Sequence, residues 1–294
     1  MKGRNSGPLR RAVLKQLQEA ALKFGALTRG FMDFVLNLLA GIGAAALGLL
    51  QAVGRFASFS GQALYSALTP PWHPRQIGAQ LVEMAYFSLP VIGLTGLFTG
   101  MVLALQSHAG LSRLSAEEAI PQIVALSITR ELGPVVAGLM FAGRMGSSIA
   151  AELSTMRVNE QVDALKTLSV DPWRYLVAPR LIAALIALPL LVLVADVVGI
   201  GGGYLVAVFQ LDFNGARFLA AVNAFIEVQD WAISFVKALV FGLLVALFGA
   251  YMGLNATGGA AGVGRASTNA VVAASIALLV ANLAITQTFF RVDG

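Results

Sequence analysis

An all-α integral membrane protein is the fold class this sequence predicts, and three observations predict it. Of 294 residues, 57% are hydrophobic and only 12% charged, about half the roughly 25% charge of a soluble domain. Beyond the N-terminal 53 residues, five stretches are apolar and long enough to cross a bilayer, which takes about 20 residues. Glycine is abundant, with 31 residues, and in a membrane that favours close helix packing over loops. This composition argues against a soluble globular enzyme. With no cysteine, disulfides, thiolate metal sites and cysteine nucleophiles are excluded. His73 and His108 lie too far apart in sequence to suggest a histidine metal cluster.

From the N-terminus, residues 1–30 carry seven basic residues (Lys2, Arg4, Arg10, Arg11, Lys15, Lys23, Arg29) against one acid, Glu19. Leu9, Val13, Leu17 and Ala20 repeat at helical spacing. The segment reads as a basic amphipathic helix on an anionic leaflet or as a solvated tail. Its basic region is too long for a signal peptide. Residues 31–53 are apolar enough to span. Asp33, Arg55 and the glycines Gly41, Gly43, Gly48 and Gly54 fit an interfacial helix equally well.

The spans follow at about 85–106, 121–151, 180–208, 232–254 and 269–290. With five spans and the N-terminus inside, thirteen Lys and Arg residues fall in the cytoplasmic segments and three outside. That asymmetry favours a cytoplasmic N-terminus and an exterior C-terminus, and a sixth span would destroy it.

The second span carries Arg130, Glu131 and Arg144. In a regular α-helix the two arginines share a face about 21 Å apart. Glu131 can neutralise part of the neighbouring charge. Pro134 removes the backbone bond to the Arg130 carbonyl and predicts a kink. Two readings fit: a polar notch for an anionic or zwitterionic headgroup, or a structural Arg–Glu pair that fixes helix register. Gly138, Ala142, Gly143 and Gly146 predict a small-residue packing face.

Residues 152–180 are dense in mixed charge. Val158, Val162, Leu165 and Leu168 form a helical stripe, with Glu160, Asp163 and Lys166 off it, and Asp171-Pro172 closes the helix. Nearly thirty residues exceed what a chain reversal needs, so docking of a soluble partner is the favoured role.

The segment DALKTLSVDPWRYLVAP resembles the coupling loop of ABC-importer permeases, with Ser169 where that loop usually has glycine. TRELGPVVAGLMFAGRMGSSIAAELSTMRVNEQVDAL (129–165) resembles more closely the core of MlaE-type permeases of phospholipid ABC transporters. The likeness continues through GLFTGMVLALQ (96–106), VDPWRYLVAPRLIA (170–183), VGIGGGYLV (198–206), VKALVFG (236–242) and GVGRASTNAVV (262–272). It covers about residues 54–290 and leaves residues 1–30 as an extension.

The resemblance implies an MlaE-like permease domain over 31–294: an interfacial helix at 31–68, the five spans, and a coupling helix at about 157–170. It implies a homodimer in the bacterial inner membrane, with the N-terminus cytoplasmic and the C-terminus periplasmic. Implied partners are cytoplasmic ABC ATPase subunits, a STAS-domain protein, a periplasmic MCE-domain protein and phospholipid; no nucleic acid is expected. ATP and magnesium would belong to the ATPase, with no cofactor in this chain. The assembly would move phospholipid between the inner membrane and periplasmic carriers, maintaining outer-membrane asymmetry.

Residue by residue, Arg130 and Glu131 match the family's charged pair near the lipid cavity. Lys237 matches a basic residue of the fourth span. Arg144 joins this lipid-binding set from its place in the second span. Arg157, Glu160, Asp163 and Lys166 fall on the coupling helix, and Arg265 falls in a GxxRAT-like loop. Glu83 stands where the family often has a basic residue.

Other motifs carry less. GAAGVGRA (259–266) mimics a phosphate loop, but Arg265 and Ala266 replace its Lys and Ser/Thr, and it lacks the preceding strand. A non-catalytic subunit is therefore expected. Glu117, Glu118, Asp212, Glu227 and Asp230 are expected as solvated or partner-facing loop acids. Asp196 must face the bundle or be neutral, and Gly199, Gly201, Gly202 and Gly203 would let another helix approach. A stand-alone ion-coupled transporter, with Arg130, Glu131 and Asp196 as a relay, is the alternative function.

Overall fold

Helix is the only regular structure among the described residues, as apolar runs crossing a bilayer require. A computed structural model describes residues 40–292, apart from 42, 45, 49 and 115. The basic segment 1–30 and residues 31–39 of the expected interfacial helix lie outside the described residues. The chain divides into two units, Met1–Ser58 and Phe59–Gly294. The described part of the first is helical.

The second unit opens with helical residues 59–68 (α1), followed by α2 (Pro74–Ala85), a 3-10 turn (Tyr86–Ser88) and α3 (Leu89–Leu111). The second span is broken into pieces: α4 (Ile120–Ser127), a π-turn (Ile128–Leu132), α5 (Gly133–Phe141), a second π-turn (Ala142–Gly146) and α6 (Ser147–Val158). The short α7 (Gln161–Thr167) and a π-turn (Trp173–Val177) lead into α8 (Ala178–Phe209). Then come α9 (Gly215–Phe225), α10 (Val228–Leu254) and α11 (Gly259–Val292). Five of these runs are long and apolar enough to cross a membrane, as the sequence predicts.

The middle of the bundle is α8, whose apolar stretch is 56% buried, against 17% for α11. It packs on α3 and α10. Two small-residue pairs at four-residue spacing, Gly96/Gly100 and Gly199/Gly203, make the α3–α8 contact. A Cβ on Gly96 would stand 3.0 Å from the Ala195 carbonyl, and one on Gly100 would run into the Gly199 backbone. The glycines after Asp196 therefore admit α3. In the second span Gly138 meets Phe241 and Leu278, and Gly146 meets Val245. Gly143, expected on that same face, is exposed with nothing near it. It lies in the second π-turn, where the wider spacing breaks the regular helical phase.

The docking segment is not one helix over 157–170. Helix α6 stops at Val158, and α7 starts after Glu160, which has a left-handed backbone (φ 58°). The expected stripe splits accordingly: Val162 is buried, whereas Leu168 is 72% exposed. Ser169 also has φ 59°, a region that costs residues with a Cβ. This gives a physical reason for glycine at the matching position of importer loops. Ser169→Gly is expected to raise stability by about 0.5–1 kcal/mol. Thermal unfolding of the purified chain checks this, and a lowered midpoint would count against the strained backbone.

Candidate functional site

The first π-turn creates the site. Pro134 has no N–H to give the Arg130 carbonyl. Lys237, reaching from α10, supplies that donor at 2.7 Å. The same ammonium lies 2.8 Å from Glu131 Oε1. Glu131 also accepts from Asn282 Nδ2 and Thr286 Oγ1, each at 2.9 Å. These two residues extend the inward stripe of α11, in which Ala266, Ala270, Ala274 and Leu278 recur every four residues. Glu131 thereby ties the second, fourth and fifth spans together.

Arg130 is not neutralised by its neighbour. Its Nε donates to Asp230 Oδ1 at 2.5 Å. Consecutive residues on a helix point in different directions, so Arg130 and Glu131 each need a separate partner. Asp230, expected as a solvated loop acid, is instead fully buried. It lies in the first turn of α10, where the helix dipole favours an anion. There its Oδ2 accepts the Glu227 backbone N–H at 2.9 Å as half of a capping box. One carboxylate thus starts the helix and holds the arginine.

Asp230, Ser234 and Lys237 follow one another on α10 at i, i+4 and i+7, and all are buried. Ser234 Oγ donates to Asp196 Oδ2 at 2.9 Å, so Asp196 does face the bundle. Asp196 Oδ1 occupies the space that Gly133 leaves, and any side chain at 133 would displace it. Sequence reasoning missed Asp230 and Ser234. The Glu-x-x-Asp cap at 227–230 and the four-residue spacing to Ser234 were the available signals.

The site is partly open. The Arg130 side chain is 37% exposed and that of Glu131 39%. Leu132, the next residue, helps wall a groove of about 640 Å³ along α3, together with Leu94, Phe98 and Val102. A partly exposed guanidinium two residues along the helix from the wall of a mainly apolar groove suits an amphiphile.

Arg144 is not part of this cluster. Its guanidinium donates to Ser88 Oγ at 2.6 Å, at the start of α3. Of the four docking residues, three form one network. Arg157 Nη1 donates to both Asp163 oxygens at 3.0 and 2.9 Å, and Lys166 Nζ donates to Oδ1 at 2.9 Å. The Lys166 hydrogen bond, aided by Arg157, holds the Asp163 carboxyl below the ordinary carboxylate range. Glu160 stands exposed at the turn before α7. Arg265 packs against the loop at Gly258, whose φ is +92°. At the base of the segment, buried Arg180 pairs with Glu152 at 2.7 Å.

The permease family model described as "Permease MlaE" matches residues 77–288. A "Probable ABC transporter permease protein" of Rickettsia bellii is 50% identical over 258 residues, 88% of this chain and 100% of that protein. The "Intermembrane phospholipid transport system permease protein MlaE" of Haemophilus influenzae is 35% identical over 261 residues, 87% of this chain and 98% of that protein. The Arabidopsis thaliana "Protein TRIGALACTOSYLDIACYLGLYCEROL 1, chloroplastic" is 36% identical over 239 residues, 80% of this chain and 67% of that protein.

Proposed function

The chain belongs to the MlaE permease family, and from that premise we propose that it is the membrane subunit through which an ABC transporter moves phospholipid. One observation carries the reading: a partly open cluster of Arg130, Glu131, Lys237 and Asp230, followed directly in the second span by Leu132, which walls a mainly apolar groove. The Arg130 guanidinium, steadied by Asp230, receives the phosphate. The groove along α3 and the exposed face of α11 (Ile276, Leu279, Val280, Leu283) take acyl chains or a second copy of the chain. Glu131 and Lys237 hold the spans around the headgroup in register.

In this reading the α7 end is cytoplasmic and the C-terminus periplasmic. Helix α7 and the turn at Glu160 seat on an ATPase subunit, which binds ATP and magnesium; this chain brings no cofactor. The Arg157–Asp163–Lys166 network keeps α7 rigid against α6, so a push from the ATPase reaches the second span. Two copies form the permease, with an MCE-domain protein on the periplasmic face and a STAS-domain protein on the ATPase. The outcome is exchange of phospholipid between the inner membrane and periplasmic carriers, which serves outer-membrane asymmetry.

Purification from the native membrane, followed by reconstitution, tests this. An ATPase subunit is expected to co-purify, and labelled phospholipid is expected to move only with hydrolysable ATP. Transport driven by an ion gradient without the ATPase would overturn the reading in favour of a secondary transporter.

A further inference from the structure

Among the described cations at 85–106, 121–151, 180–208, 232–254 and 269–290, Arg144 is the one whose partners are all neutral. Arg130 has Asp230, Lys237 has Glu131 and Arg180 has Glu152. Among the described residues, Arg144 has no carboxylate within ion-pair distance. Its contacts all run through Nη1: Ser88 Oγ at 2.6 Å, the Glu83 carbonyl at 3.3 Å and Met145 Sδ at 3.6 Å. Its Cζ lies 6.0 Å from the Phe87 ring centroid, a weak cation–π contact. Glu83 contributes its backbone here and not its acid.

Position adds a second constraint. Ser88 is fixed and buried immediately before the first residue of α3, so Arg144 sits level with the mouth of the first span. Tyr86 and Phe87 flank it, 65% and 53% exposed, as aromatic residues do at a membrane boundary. The side chain is partly exposed. A guanidinium pinned through one nitrogen keeps Nε and Nη2 for an acceptor with two oxygens, the geometry a phosphate diester offers. Fourteen residues of helix separate it from Arg130, about 20 Å. The two arginines therefore serve different depths of the membrane.

We propose that Arg144, with Ser88 and Phe87, forms a second phosphate-headgroup site for phospholipid of the leaflet at the α7 end. It rests on the phospholipid reading above and adds a second binding station to it. The shared chemistry is a phosphate anion. The boundary aromatics and the level of α3 assign it to a lipid and not to soluble phosphate.

The full chain in nanodiscs of phosphatidylethanolamine and phosphatidylglycerol tests this, with a benzophenone side chain in place of Tyr86. After irradiation, mass spectrometry reads the phospholipid adduct. Arg144→Gln is expected to reduce the adduct about tenfold, the scale of one charge-assisted hydrogen bond. Arg113→Gln, at an exposed arginine in the turn after α3, is expected to leave it unchanged. A benzophenone in place of Leu283 is expected to keep its own lipid adduct in both variants. An undiminished adduct in Arg144→Gln overturns the site. Displacement by millimolar inorganic phosphate, or an adduct to a second copy of the chain, overturns the lipid assignment. Should Arg144→Gln not fold, Arg144→Lys decides: a severalfold loss supports the fork, and a wild-type adduct refutes it. ATP-driven transfer by the wild-type complex is measured in parallel. Its absence would sink the transporter reading, whereas the adduct reports on Arg144 alone.

Discussion

Gly100→Leu is expected to leave the chain unable to reach its native packing. The new Cβ alone would enter the Gly199 backbone of α8, and a backbone cannot turn aside as a flexible side chain can. Relief requires the two helices to part, which exposes the contacts around Gly96 and Gly203 as well. Overpacking a tight interface costs about 1–3 kcal/mol or more. Here it falls on the most buried helix of the bundle, so the upper end of that range or beyond is expected. Gly93→Leu is the control, because nothing stands within 4 Å of a Cβ there. Size-exclusion profiles and thermal unfolding in one detergent compare the two. Equal behaviour would show that α3 and α8 do not approach as closely as described.

Asp230→Ala is the second large effect. It removes the carboxylate that holds Arg130 and the acceptor that opens α10. Breaking a fully buried ion pair from one side costs about 3–5 kcal/mol; with the Arg130 side chain 37% exposed the lower end of that range or less is expected, and losing a helix cap adds about 1 kcal/mol. The double variant Arg130→Met with Asp230→Leu is expected to recover much of that stability, since no charge is left stranded. It should nevertheless transfer little or no phospholipid. Thermal unfolding reads the first effect and reconstituted transfer the second. Wild-type transfer by the double variant would show that Arg130 is an architectural residue and not a headgroup contact.

The sequence made the five spans legible because a bilayer imposes a length and a polarity that composition cannot hide. Glu131 and Lys237 were legible as charges that need a reason at their depth. Their pairing was not. Adjacent in sequence, Arg130 and Glu131 look like partners, but helix geometry sends them to different spans. Asp230 was misread because it sits just before an apolar run, where a charge has an easy escape to water. Its burial depends on Arg130, a hundred residues away. The π-turns are written only in part: Pro134 and Pro179 follow two of them, whereas the one at Ala142–Gly146 has no proline after it. Helix α9 was hidden inside a segment short enough to pass for a loop, although Asn214 caps it through Ala216 and Arg217.

Lys237 stands in for a missing peptide N–H, and that limits how the permease can move. An ordinary helix carries its own hydrogen bonds wherever it goes. At Arg130 the bond is on loan from α10, so sliding α10 past the second span would strip a half-buried carbonyl of it. Asp230 and Ser234, two turns and one turn before Lys237, fasten the second and third spans to α10. The second, third and fourth spans are therefore built to travel as one block. Of the five spans α11 is the least buried, and among the described residues its side-chain hydrogen bonds to the block's polar centre are those of Asn282 and Thr286. A transport stroke would be felt there as the gain or loss of two hydrogen bonds to Glu131.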